Sequence, residues 1–154
     1  MRLEKRSFAA PQVEGKRIRL HIPYNSSADL GDFREVIAPG AFRRTLDDPE
    51  ADVLCLWNHD SSLVLGRRSA DTLDLSDDDT GLTAEIEEDG TSWCADARAA
   101  ITSRNVKGAS FGFIVVDDTW DRAGAEWTRT LDDVLLLEVS PTPLPAYTES
   151  EASL

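Results

Sequence analysis

Three apolar runs of strand length each carry a polar group that a buried strand would normally exclude, and they constrain this chain more than any other feature. Asn58-His59-Asp60 follows VLCLW, Ser110 sits in GASFGF, and Glu138 lies in VLLLEVS. Runs of this length, bounded by turn-forming residues, describe strands and not helices. The polar groups are a histidine, a serine and a carboxylate, which are the base, nucleophile and orienting group of acyl transfer.

The rest of the chain reads the same way. Residues 17–23 alternate, with Ile18, Leu20 and Ile22 on one face of a half-buried strand. A loop is expected over 25–32, a short strand over 33–37 stopped by Pro39-Gly40, and a short helix over 41–46. A central strand over 53–57 is followed by a return over 63–66. Strands 72–75 and 81–87 flank the turn SDDDT as a hairpin. Thr91 or Ser92 caps a helix with Trp93, Ala97, Ala100 and Ile101 at helical spacing. That stripe either covers the core or forms the interface of a homodimer. Strands are expected again over 111–116, 126–130 and 134–139. The proline-rich tail from Pro141 onward is not expected to be a central strand. The sum is a mainly β chain with two short helices, its sheet closed or strongly curled into a barrel. One domain over 1–147 with a short polar tail over 148–154 accounts for its 154 residues.

Composition narrows the function. A net charge of −13 with scattered basic residues argues against a nucleic-acid partner, which needs clustered Lys and Arg. The acidity serves solubility, or else a preference for basic partner segments. No apolar stretch approaches a membrane span and the start lacks a hydrophobic signal region, so a cytosolic protein without membrane contact is expected. Cys55 and Cys94 are read as buried, reduced thiols. With His21 and His59 they form no recognised ligand spacing, and no glycine-rich phosphate loop is present. Neither metal nor cofactor is expected.

Each candidate has a plainer reading beside its chemical one. His59 could be an inert histidine at a strand end, in phase with Val53 and Cys55 if the strand runs on; His21 is taken as that kind of residue. Ser110 stands among small residues that permit a close backbone approach, for a substrate strand, an oxyanion hole or a simple chain reversal. Glu138 needs a partner if buried, either a cation or an imidazolium, and none if it faces water from an edge strand. Asp60 is the other carboxylate candidate, but a neighbour of His59 on a strand points to the opposite face.

Taken in order, DFREVIAPGAF at 32–42, NHD at 58–60, GLTAE at 81–85, GASFGF at 108–113 and LLEVSPTPLPAY at 136–147 resemble the prohead proteases of tailed bacteriophages and prophages. These are the serine proteases of capsid maturation, related to herpesvirus assemblins. The resemblance implies an assemblin-like β-barrel of about seven strands with helices around it. It implies an endopeptidase that acts in virion assembly, inside the immature capsid in the host bacterial cytoplasm. Such an enzyme cuts the scaffolding segment of the major capsid protein and then itself, and it pairs as a homodimer. It implies His59 as general base, Ser110 as nucleophile and Glu138 as third member, with the turn around Lys107 to Ser110 as a source of oxyanion donors. The competing readings are a non-catalytic capsid-assembly or scaffold-binding module with the same fold, and a hydrolase of small esters.

Overall fold

Alternation at Ile18, Leu20 and Ile22 forms the strand it predicts, with all three side chains buried. The computed structural model of the chain describes residues 1–8 and 11–143, and these are mainly β with two short α-helices. One sheet has the order β1 (Leu3–Phe8), β10 (Gly108–Ala123), β11 (Glu126–Thr142), β5 (Arg34–Ile37), β4 (Ala28–Asp29); β6 (Leu54–Trp57) also pairs with β11, and β7 (Asp60–Arg67) with β6. The other has the order β2 (Gln12–Glu14), β3 (Arg17–Pro23), β9 (Gly81–Glu87), β8 (Leu73–Asp77). Apolar faces of both sheets join in one core, where Ile18, Leu20, Ile22, Leu82 and Ile86 share a cluster with Phe111, Phe113, Val134 and Val139.

The sheets do not close into the expected barrel. Among the described residues, strand pairing passes from β11 to β5 and β6 and does not reach the four-stranded sheet. Alternation reports which face a strand buries, not which strand it pairs with, so closure leaves no mark on the sequence.

The strands expected over 111–116, 126–130 and 134–139 belong to a single long antiparallel ribbon, β10 with β11. Its outer part (Asp117, Asp118, Asp121, Arg122, Arg129) is charged and so lacks the apolar alternation that reveals a strand. Gly124, with φ of +64°, makes the tight turn. Pro141 and Thr142 also continue β11, opposite Ala109 and Gly108, so the expectation that the tail avoids a central strand fails for its first two residues. Pro141 lacks an N–H, but its carbonyl still accepts a bond from Asn58 N at 3.0 Å. The tail expected over 148–154 lies outside the described residues.

β11 is gripped along its far edge by three elements in turn. β5 pairs with residues 128–131 and β6 with Glu138 and Val139, both in parallel. Between them the PGAF turn and helix α1 (Arg43–Asp47) fill the gap: Val134 N donates to Ala41 O and Leu136 N to Thr45 Oγ1, each at 3.0 Å. Phe42 of that turn meets Phe111 edge-on at 5.4 Å, and Phe111 stacks on Phe113 at 4.7 Å. The PGAF and SFGF motifs are thus two halves of one packing contact.

Helix α2 (Ser92–Thr102) buries Cys94, Ala97 and Ile101, and Trp93 and Ala100 pack on the same core. Trp93 Nε1 donates to Val64 O at 2.8 Å. The apolar stripe therefore covers the core. Cys55 and Cys94 are both buried and free.

A charged cluster fastens β1 to the sheet. Glu35 accepts from Arg6 Nε at 2.6 Å and from Arg129 Nη1 at 3.3 Å, while Glu4 bonds both arginines. The Glu35 side chain is 1 % exposed, so removing its charge takes from Arg6 and Arg129 a buried carboxylate that both bond and leaves them to share Glu4. Glu35→Gln is expected to cost about 3 kcal/mol and, at a few degrees per kcal/mol in a domain of this size, to lower Tm by about 10 °C in calorimetry. Burial raises the Glu4 carboxyl, but its contacts with Arg129 and Arg6 outweigh burial and hold it below the usual range. That contribution is present above the unfolded carboxyl pKa and is lost as pH falls through the lower folded value.

Candidate active site

One irregularity makes the site possible. Gly112 pairs with Glu138 but Phe113 pairs with Leu136, so Leu137 is an extra residue and β11 bulges there. Strict alternation from the buried Leu136 would send Glu138 into the core and Val139 out of it. The bulge reverses this: Val139 packs into the core opposite Phe111, and Glu138 turns to the other face with Gly112. Ser140 and Ser110, the next pair along, share that face with them. Leu137 is left partly exposed.

His59 reaches this face from a turn and not from a running strand. Trp57 pairs with Asp60, leaving Asn58 and His59 as a two-residue hairpin loop with φ of +50° and +60°. Two successive left-handed residues define a type I′ turn, for which asparagine is suited and histidine tolerated. Three bonds tie the turn to β11: Asn58 N to Pro141 O at 3.0 Å, His59 N to Ser140 Oγ at 3.2 Å, and Thr142 Oγ1 to Asn58 Oδ1 at 2.8 Å.

So placed, His59 Nδ1 meets Glu138 Oε1. Ser140 Oγ donates to Glu138 Oε2 at 2.5 Å, so both carboxylate oxygens are engaged. A carboxylate that accepts from Nδ1 selects the tautomer in which the Nε2 lone pair is open to a proton. The side chains are 16 % and 9 % exposed, so water competes little for the pair. Burial pushes the Cys55 thiol well above the usual range, and the nearby Glu138 charge adds to the shift.

Asp60 takes no part. Its carboxylate accepts from Ser62 Oγ at 2.6 Å and Ser62 N at 2.9 Å, and those bonds hold it below the usual range. His21 lies on β3 beside Thr83 Oγ1 at 3.3 Å, in the other sheet.

Ser110 is fully buried on β10, and its Oγ has no hydrogen-bond partner among the described residues. The carboxylate and imidazole are joined; the serine lies one residue pair along the same face and is not yet bonded to the histidine. Such bonds commonly tighten only when substrate is bound. The small residue Gly112 has a different use from the one expected. A Cβ there would stand 2.6 Å from Glu138 Oε1, so its missing side chain is the space the carboxylate occupies. The expected oxyanion turn is absent too: Gly108 to Ser110 belong to β10 and are paired with β11.

Sequence reasoning missed Ser140, Asn58 and Thr142, which brace the pair. LLEVSPTPLPAY and NHD held them in view, but their role depends on a bulge and a turn that no periodicity signals. Among the described residues, no three His, Cys, Asp or Glu side chains group so as to hold a metal ion, and no helix is long and apolar enough to cross a membrane.

A histidine held on a buried carboxylate, with a serine on the same sheet face, supplies the three kinds of group that serine hydrolases use. The family model of the caudovirus prohead serine proteases matches residues 21–154, and the chain belongs to that family. No curated protein and no solved structure matches it.

Proposed function

We propose that the protein is the serine endopeptidase of phage capsid maturation, with Ser110 as nucleophile, His59 as general base and Glu138 as the group that orients and charges the histidine. The observation that carries this reading is the His59–Glu138 contact on the SFGF face, in a chain that belongs to the prohead protease family. Ser110 Oγ attacks the scissile carbonyl carbon while His59 Nε2 takes its proton. The tetrahedral intermediate collapses as the same proton passes to the leaving amine, and water then releases the acyl group by the reverse sequence. Glu138 holds the tautomer and stabilises the imidazolium. Because Ser110 is covered, a substrate segment must displace its cover to reach it.

The substrates we infer are the scaffolding segment of the major capsid protein and this chain itself, cut inside the prohead. Kinship with herpesvirus assemblins rests on the motif order alone.

A serine-directed diphenyl phosphonate tests the reading. One adduct per chain is expected, located at Ser110 by peptide mass spectrometry and absent after His59→Asn. No adduct at all, with no cleavage of the cognate capsid protein on co-expression, would identify a non-catalytic assembly module instead.

A further inference from the structure

The nucleophile's backbone cannot serve the usual second task of such a site. Ser110 lies in the middle of a sheet, opposite Ser7 of β1 on one side and Ser140 of β11 on the other. Main-chain N–H groups bracketed by paired strands are spent in the ladder. An oxyanion formed at a carbonyl bound to Ser110 Oγ therefore cannot draw on the nucleophile's own amide, which commonly receives it.

Of the two flanking hydroxyls, Ser140 already donates to Glu138. Ser7 is different. It is 2 % exposed, and its Oγ, like that of Ser110, has no partner among the described residues. Leaving a hydroxyl buried and unbonded is a cost that alanine at the same place would avoid. Directly opposed residues on antiparallel strands share a face, with Cβ atoms about 4.5–5.5 Å apart. An oxygen one bond beyond the carbon attacked by Ser110 falls within hydrogen-bond reach of such a neighbour.

Resting on Ser110 as nucleophile, we propose that the Ser7 hydroxyl is a side-chain donor to the oxyanion formed there. Ser7 precedes residues 21–154, the part that matches the family, so the assignment comes from strand register and burial in this chain. The unsatisfied hydroxyl is a preorganised donor, held dry and idle until negative charge develops beside it.

The test compares Ser7→Ala, Ser7→Thr and Ser7→Gly by the rate of phosphonate attachment to Ser110 and by turnover of a peptidyl nitrophenyl ester. Loss of one oxyanion donor predicts a fall of about a hundredfold in both rates for alanine and glycine, with KM nearly unchanged. Threonine, which keeps the hydroxyl, should recover most of the rate. The alanine variant should melt at the same temperature as the parent protein or higher, since it sheds an unpaired polar group. Alanine and glycine variants labelled at the parent rate would overturn the inference. So would a threonine variant as slow as alanine, or slow labelling accompanied by a lowered Tm, because each marks a packing role. Parent protein that takes no phosphonate on Ser110 would instead overturn the nucleophile assignment on which the inference rests.

Discussion

Ser110→Ala is expected to leave a folded protein whose proteolysis of the cognate capsid protein falls by about 10⁴-fold or more. The fold should survive because the hydroxyl has no partner to lose among the described residues and alanine fits the same buried strand position. Tm should hold or rise slightly, since a buried orphan hydroxyl is itself a cost. His59→Asn should be equally inactive; asparagine accepts the left-handed conformation of the NHD turn, so that loss is not a folding defect. The double variant should be little worse than either single one, because nucleophile and base act as a unit. Co-expression with the capsid protein, read by intact mass, decides the matter. Continued cutting by a folded Ser110→Ala protein would remove Ser110 from the mechanism.

Much of the architecture was legible because burial imposes a period. Ile18, Leu20 and Ile22, the hairpin of β8 with β9, helix α1 behind PGAF and helix α2 behind Thr91 all stand where alternation or helical spacing puts them. Elements with no apolar buried face left no such trace. The outer ribbon around Asp117 to Arg122 is strand by pairing alone, and β1 (LEKRSF) carries three consecutive charges where apolar alternation would mark a strand. The site was legible in its chemistry and not in its geometry. Glu138 looked anomalous because VLLLEVS was read as one uniform strand. The bulge at Leu137 removes the anomaly by turning the carboxylate away from the core. A strand ending in NHD is legible, but its last residues are a turn, and only the left-handed pair Asn58-His59 brings the His59 ring to Glu138. A one-residue insertion and a turn type are local geometric choices, and both flip faces without altering composition.

Glu138→Gln and Gly112→Ala should converge on one defect by different routes. Glutamine keeps the shape but loses the charge that fixes the histidine tautomer and stabilises the imidazolium, so kcat should fall by about 10²- to 10⁴-fold, less than on loss of Ser110. Gly112 touches no substrate atom in this account. Alanine there would place its Cβ 2.6 Å from Oε1, 3.1 Å from Cγ and 3.2 Å from Cδ of Glu138. The carboxylate must move, and it cannot do so while bonded to both His59 and Ser140. Gly112 has no positive φ, so the backbone takes alanine without strain, and a side chain in a strand offsets part of the crowding. Stability should fall by about 1–3 kcal/mol, the cost of the displaced carboxylate's bonds, while activity falls about a hundredfold or more in the folded protein. Since both changes break the same contact, the double variant should be scarcely slower than Glu138→Gln alone, far from the product of the two losses. Single-turnover cleavage and denaturant unfolding measured on all three proteins give the cycle. Full activity in Gly112→Ala would mean that the His59–Glu138 contact does not limit catalysis. Multiplicative losses in the double variant would mean that Gly112 acts on something other than the carboxylate.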